Sequence, residues 1–306
     1  MLALLEKANK EVKKELLTTT GIETKKRYTE LAVAINAISR DLRDNINECL
    51  DNPDFIDEEI AAQEKILRGQ GLTNFYTPNT NTIRTAAQFK PFADTANYES
   101  FLNGIKEGFY NTWDSAIRTG YLTGETTQKI IKTVMGEIAK DANLAHMGTV
   151  KRLRDSIERN TRTYLQAMAT VTRERVYLDN ESLFSGYQYT ATLDTRTCLV
   201  CGMWDGVIKS DIKDFPQTPQ HYNCRCLLIP QVKGLENVSE TRASIDGYVS
   251  SDISFESWLE NQPDAIQQEV LGAARYKLYK EDKLTLDKFV QDNRVLTLTE
   301  LKTLYS

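Results

Sequence analysis

Four cysteines and one histidine fall between residues 198 and 226, in Cys198-Leu-Val-Cys201 and then His221-Tyr-Asn-Cys224-Arg-Cys226. The rest of the chain holds one further cysteine, Cys49, and one further histidine, His146. A Cys-x-x-Cys turn lets two thiolates approach one ion while backbone amides point at the sulfurs, and a second pair completes a tetrahedron around zinc. Five donors, Cys198, Cys201, His221, Cys224 and Cys226, thus compete for four places. If HYNCRCLLIP runs into a strand, residues 224 and 226 share a face and both reach the ion, leaving His221 as a support outside the coordination sphere. The alternative is that His221 ligates together with one of those two cysteines. The four-cysteine set is preferred. The cofactor expected is a structural Zn2+, which supplies on the order of 10–16 kcal/mol and can fix a small β unit with little core of its own.

Catalytic zinc needs an open coordination position and a general base beside it. This cluster is closed and rich in sulfur. The zinc-deaminase order of H-x-E followed by P-C-x-x-C is absent, since Tyr222 and Asn223 follow His221. No P-loop or G-x-S-x-G element occurs. His146, in LAHMGT, has no carboxylate motif beside it and reads as a helix-end or core histidine. A zinc-supported nuclease is suggested only by a His-x-Asn among cysteine pairs, and one histidine is too few for its base and metal site. The expectation is a protein without catalytic residues.

The elements that must position these donors change character along the chain. Leu31, Ile35, Ile38, Leu42, Ile46 and Cys49 recur at helical steps, so a long helix runs to Leu50 with Cys49 as a buried core thiol. Pro53 ends it, and a shorter helix follows to about Leu67. The stretch from Gly69 to Asn97 has no sustained period and reads as a long connecting arm. Helical spacing resumes with Phe101, Ile105, Phe109 and Trp113, then Ile130, Ile131, Val134 and Ile138. A helix over Lys151 to Arg175 carries Lys151, Arg152, Arg154, Arg159 and Arg162 opposite an apolar side of Leu153, Ile157, Tyr164, Met168 and Val171. Its charges read first as a solvated, salt-bridged face, and second as a contact to DNA phosphates.

From Tyr187 the period becomes two: Tyr187, Tyr189, Ala191 and Leu193 alternate with polar residues, the pattern of a half-buried strand. Asp205-Gly206 reads as a hairpin-type turn, and Cys226 to Pro230 as a short strand closed by its proline. Pro263 fits the first turn of a helix with the stripe Ile266, Val270, Ala274 and Leu278; Thr297 and Glu300 make a capping box. The fold class expected is α+β, a mainly helical N-terminal half followed by a small zinc-stabilised α+β domain. The segments expected are 1–68, N-terminal helices; 69–97, an extended arm; 98–180, a helical domain; and 181–306, the α+β domain.

With 306 residues, 41% of them hydrophobic and 26% charged, and a net charge of −5, the chain is long enough for a real core and has no global pull toward nucleic acid. MLALLEKANKEVKK meets charge too early for a secretory segment, and no uncharged apolar run approaches the roughly 18 residues of a membrane span. Synthesis in a cytoplasm is expected, where clustered cysteines point to metal before disulfides.

In order, TATLDTRTCLVCGMWDGVI, PQTPQHYNCRCLLIP and FESWLENQPDAIQQEVLGAAR resemble the phage head morphogenesis family, the Mu F-like or SPP1 gp7-like minor head proteins. The resemblance is carried by Asp194, Arg196, Thr197, Cys198, Cys201, Asp205, Gly206, His221, Asn223, Cys224, Arg225, Cys226, Trp258, Gln262, Pro263, Leu271, Gly272 and Arg275. Tyr222 stands where the family usually has proline. The resemblance spans about Tyr187 to Phe289, and residues before about 100 carry no signature of it.

It implies a low-copy minor capsid component of a tailed bacteriophage, synthesised in the host bacterial cytoplasm and residing in the virion head. There it would accompany the portal protein or the major capsid protein during head assembly and genome packaging or ejection. It implies no membrane partner, and some relatives contact packaged double-stranded DNA. Asp194 and Arg196 then become loop organisers, a carboxylate accepting backbone amides and a guanidinium tying the zinc turn to a neighbour.

Overall fold

The structure is a computed structural model that describes residues 1–18, 25–51, 53–90, 97–135, 149–235, 241–281 and 284–305. His146 and Ile138 lie outside the described residues. The chain folds into two compact units, one of Met1–Glu58 with Thr80–Met168, the other of Glu59–Asn79 with Ala169–Ser306. The expected segments 1–68, 69–97, 98–180 and 181–306 cut the chain at other places. The first unit is helical, and the described strands all lie in the second.

The first unit is built from α1 (Leu2–Thr18), α2 (Lys25–Leu50), the start of α3 (Asp54–Gly69), α4 (Thr80–Phe89), α5 (Tyr98–Thr123), α6 (Thr127–Met135) and the first part of α7 (Thr149–Asp179). Its core interleaves Leu5, Val12 and Leu16 of α1, Leu31, Ile35, Leu42 and Ile46 of α2, and Phe101, Ile105, Phe109 and Trp113 of α5, all buried at helical spacing. The Trp113 indole N–H is buried and donates to the Asn9 side chain at 2.9 Å, which removes the cost of leaving it unpaired. Asn97 begins α5 through a reciprocal box with Ser100, and Gly124 ends it in the left-handed region at φ 68°.

Two expectations are corrected here. Cys49 is exposed. The buried seam of α2 steps by four from Ile46 to Leu50, and Cys49 falls beside it. Within the stretch expected to be an extended arm, Thr80–Phe89 is helical, held by buried Ile83 and Ala87 one turn apart. Short polar residues hid that i, i+4 pair.

In the second unit the remainder of α3 and α7 share the Glu59–Arg173 ion pair (2.6 Å) and a Tyr177 hydroxyl that donates to Gln63 (2.8 Å). Three strands follow, β1 (Phe184–Thr190), β2 (Ile208–Lys209) and β3 (Leu227–Val232), antiparallel in the order β2-β1-β3. Tyr187, Tyr189, Ala191 and Leu193 are buried, as the alternation requires. A short helix α8 (Leu199–Trp204) connects β1 to β2, so Asp205-Gly206 is a helix-to-strand corner with Gly206 at φ 82°, and the expected hairpin is corrected.

Pro230 lies inside β3, opposite Tyr187, instead of closing the strand. β3 is an edge strand, and Tyr189 directs its own N–H and C=O to the β2 side. The alternation of antiparallel pairing therefore turns Pro230 outward, where no ladder bond is lost.

The remaining elements are the hairpin β4 (Thr241–Ser244) and β5 (Gly247–Ser250), helices α9 (Phe255–Glu260), α10 (Asp264–Leu271) and α11 (Ala273–Glu281), the hairpin β6 (Val290–Gln291) and β7 (Arg294–Val295), and α12 (Leu298–Tyr305). The single helix expected beyond Pro263 breaks at Gly272, whose φ of 73° and ψ of 152° cannot continue it, and Pro263 stands just before the first helical residue. Thr297 and Glu300 form the expected reciprocal cap, with Thr297 N to Glu300 at 2.7 Å and Glu300 N to Thr297 Oγ1 at 3.3 Å.

These burials give a contrast that urea denaturation can read. Phe109→Ala, at a fully buried position, is expected to cost about 3–5 kcal/mol. Cys49→Ser, at an exposed one, is expected to stay within about 0.5 kcal/mol of the parent.

Candidate metal centre

The two donor loops are shaped by local backbone bonds. Cys198 caps α8: its sulfur accepts the Cys201 N–H at 3.4 Å and its carbonyl accepts the Gly202 N–H at 2.9 Å, which turns both thiols of the Cys-x-x-Cys segment to one side. On the other loop the Cys224 N–H donates to the His221 carbonyl at 3.0 Å, closing a turn in which Asn223 takes the left-handed region at φ 61°.

The donors meet. His221 Nε2 lies 3.1 Å from Cys198 Sγ and 3.4 Å from Cys201 Sγ, and Cys201 Sγ lies 3.9 Å from Cys224 Sγ. They form two groups sharing Cys201: Cys198, Cys201 and His221 in one, Cys201, Cys224 and Cys226 in the other. Within each, the ligand atoms lie within 4.8 Å of one another. Cys201, Cys224 and Cys226 are buried, while Cys198 and His221 are half-buried. The cluster can hold a metal ion.

Its protonation is uneven. Hydrogen bonding to Cys201 overrides burial and, with His221, lowers the Cys198 thiol to about 4; the same bond to Cys198 raises Cys201. His221 is raised to about 9, chiefly by its bond to Cys198. A divalent cation bound there would displace protons from the thiols.

Around the donors stands a polar chain that sequence patterns did not reveal. Gln220 donates to the buried Tyr189 hydroxyl at 2.8 Å, and that hydroxyl lies 3.7 Å from Cys201 Sγ. The Gln220 carbonyl accepts from Asn293 at 2.8 Å, and Asn293 in turn accepts the Trp204 indole N–H at 3.0 Å. Asp292 and Asn293, at φ 51° and 57°, are the two-residue turn of the β6–β7 hairpin. Only the Asp-Asn turn pair left a trace in the sequence.

Two carboxylates fasten the donor loops. Asp194 accepts the Arg196 backbone N–H at 3.0 Å and two bonds from the Arg225 guanidinium at 2.7 Å each. Arg196 itself is exposed and, among the described residues, its side chain reaches back to Asp194 at 3.4 Å, while Arg225 makes the tie between loops that was expected of Arg196. Asp205 is fully buried and accepts the Ala191 and Phe255 N–H groups at 2.7 Å each, with Arg242 completing a two-pronged pair at 2.8 and 2.9 Å. Arg242 also donates to the carbonyls of Ala191 and Ile253. Nothing local in Thr241-Arg-Ala-Ser244 marks it, and the signal available was that a buried Asp205 would need a cation.

Of the other motif residues, Trp258 is buried against Phe255 and donates to Asp246 at 3.3 Å, and Arg275 donates to the Leu296 carbonyl at 2.8 Å. They brace the apolar cluster of Leu193, Phe255, Leu259, Leu271 and Phe289.

Lys151, Arg152, Arg154, Arg159 and Arg162 of α7 lie in the first unit, and their charge is partly spent along the helix. Lys151 pairs with Asp155 at 3.0 Å, Arg162 with Glu158, and Arg159 bonds Ser156 and Asn160. Arg152 and Arg154 are exposed.

The chain thus joins a helical unit to a mixed unit that carries a Cys/His cluster able to hold a metal ion. Residues 111–229 match the model of the family described as phage Mu protein F like protein, and the resemblance to phage head morphogenesis proteins is thereby borne out. The match takes in the second half of α5, all of α7 and all five donors. It stops short of Trp258 and Arg275, which the resemblance had included. No curated protein and no solved structure matches the chain significantly. No described helix is long and apolar enough to cross a membrane.

Removing one partner of the Asp205–Arg242 pair strands a buried charge, so Arg242→Met is expected to cost about 3–5 kcal/mol, read as a lower urea midpoint. Burial pushes the Asp194 carboxyl up, but Arg225 and the Arg196 amide outweigh it and hold the group below the ordinary carboxylate range. A depressed carboxyl contributes stability that is complete above the unfolded value of about 4 and is lost as pH falls through the lower folded value. Asp194→Asn is therefore expected to flatten the acid limb of a stability–pH profile and leave its slope above about pH 5 unchanged.

Proposed function

We propose that the chain is a minor head protein of a tailed bacteriophage, a low-copy virion component seated with the portal protein or the inner face of the major capsid shell during assembly and genome packaging or ejection. The observation that carries this reading is the family match, which encloses both donor loops of the cluster. The cluster supports a structural part: all its donors are thiols but one, and they close on one another within a buried β unit. A Zn2+ held there would supply on the order of 10–16 kcal/mol to a unit whose central sheet has only three short strands, and so stiffen a surface that must fit its neighbours repeatedly.

Mass spectrometry of purified virions is expected to find this chain at a small fraction of the major capsid protein, cross-linked to portal or shell. Its absence from particles sinks the proposal. In the purified protein one equivalent of zinc is expected by elemental analysis, with a strong chelator lowering Tm; a metal-free protein with unchanged Tm would remove the zinc from the reading.

A further inference from the structure

The five donors differ in how they reach one another. Cys198 and His221 lie within 4.8 Å of each other and of Cys201, and so do Cys224 and Cys226, but neither of the first pair forms such a group with either of the second. We infer that Cys201 is the one ligand the site cannot lose, and that the other four are interchangeable: three of them complete the tetrahedron and the fourth is a spare. This rests on the reading of the cluster as a zinc site.

The first support is geometric. With metal–sulfur bonds of about 2.3 Å and metal–nitrogen bonds of about 2.0–2.1 Å, neighbouring vertices of a tetrahedron are about 3.5–3.8 Å apart. Cys201 Sγ stands close to such separations on both sides, 3.4 Å from His221 Nε2 and 3.9 Å from Cys224 Sγ. Any four donors that include Cys201 consist of one complete pair, one member of the other pair, and the sulfur that borders both. The set that omits it has to draw the two pairs together across the place that Cys201 fills.

The second support is how that sulfur is held. Cys201 is buried, and its Sγ faces the Tyr189 hydroxyl at 3.7 Å and the Gln220 side-chain amide at 3.8 Å, which are themselves bonded at 2.8 Å. Donors aimed at a sulfur orient it and favour the thiolate, the form that a metal binds. The Cys201 N–H is bonded to Cys198 Sγ at the start of α8, so its backbone is fixed as well. The third support is the division of donors between loops. One loop carries Cys198 and Cys201, the other His221, Cys224 and Cys226. Loss of Cys198 leaves Cys201 with all three donors of the second loop. Loss of any one of those three leaves the other two with both donors of the first.

Zinc stoichiometry, chelator competition and X-ray absorption at the zinc edge of full-length variants test this. Cys198→Ser, Cys224→Ser, Cys226→Ser and His221→Ala should each keep one zinc equivalent, weakened by no more than the roughly 10–100-fold that loss of a supporting residue costs. The three serine variants should show three sulfurs at about 2.3 Å and one nitrogen at about 2.0–2.1 Å, and His221→Ala four sulfurs. Cys201→Ser should lose zinc by a larger factor than any of them. A folded variant among the first four that holds no zinc, or fills its shell with water, overturns the spare donor. A folded Cys201→Ser that binds zinc as well as those four overturns its priority. Both results leave the zinc reading intact, and the first four variants are decisive even if Cys201→Ser does not fold. A folded parent protein that binds no zinc overturns both readings.

Discussion

The second unit depends on one buried charge. The Asp205 side chain has no solvent exposure, and a carboxylate in that position is tolerable only with its oxygens fully bonded. Its partners come from the end of the first strand, from Arg242 on the fourth, and from the first turn of the helix that starts at Phe255. Because the aspartate itself ends the helix that carries Cys198 and Cys201, those three pieces fix where the first donor turn stands. Shifting any of them would unpair the charge. A pair of this kind adds little net stability over apolar packing, but stranding either charge costs heavily, which penalises arrangements that separate the two.

The second donor turn is fastened separately. Arg225 stands between Cys224 and Cys226 and reaches across to Asp194, four residues before Cys198, so one two-pronged pair sets the distance between the turns before any ion is considered. Farther out, Trp204, Asn293, Gln220 and Tyr189 pass hydrogen bonds from a C-terminal hairpin to the sulfur of Cys201. The family match ends at residue 229, yet Arg242, Phe255 and Asn293 lie beyond it. The donors sit inside the matched segment, and much of what holds them in place does not.

Much of this was legible in the amino-acid sequence because it is local or periodic. The cysteine spacing, the alternation through Tyr187 and Tyr189, the stripe of Phe101 to Trp113 and the Thr297–Glu300 cap are all set by neighbours within a turn or a strand. What escaped depends on partners far away. Arg242 looks like any polar strand residue until Asp205, 37 residues earlier, is seen to be buried. Cys49 and Leu50 were both one helical step from Ile46, and only packing chose between them. Pro230 reads as a strand terminator unless the strand is known to lie at an edge. Within the site, spacing brought the five donors together but could not say which ring nitrogen of His221 faces the sulfurs, because that rests on the contact of the other with the Tyr222 carbonyl.

The two units are each made of two separate stretches of chain. Residues 59–79 supply Glu59 to Arg173, Gln63 to Tyr177 and Leu67 to the core beneath the first strand. On a ribosome these residues emerge about ninety positions before Ala169, where the rest of their unit begins, so they must wait while the remainder of the helical unit is translated. The metal-bearing end consequently cannot be lifted out by a single cut. A C-terminal fragment begun at Ala169 would leave behind the side chains that close its base, and a grafted copy would have to carry 59–79 with it.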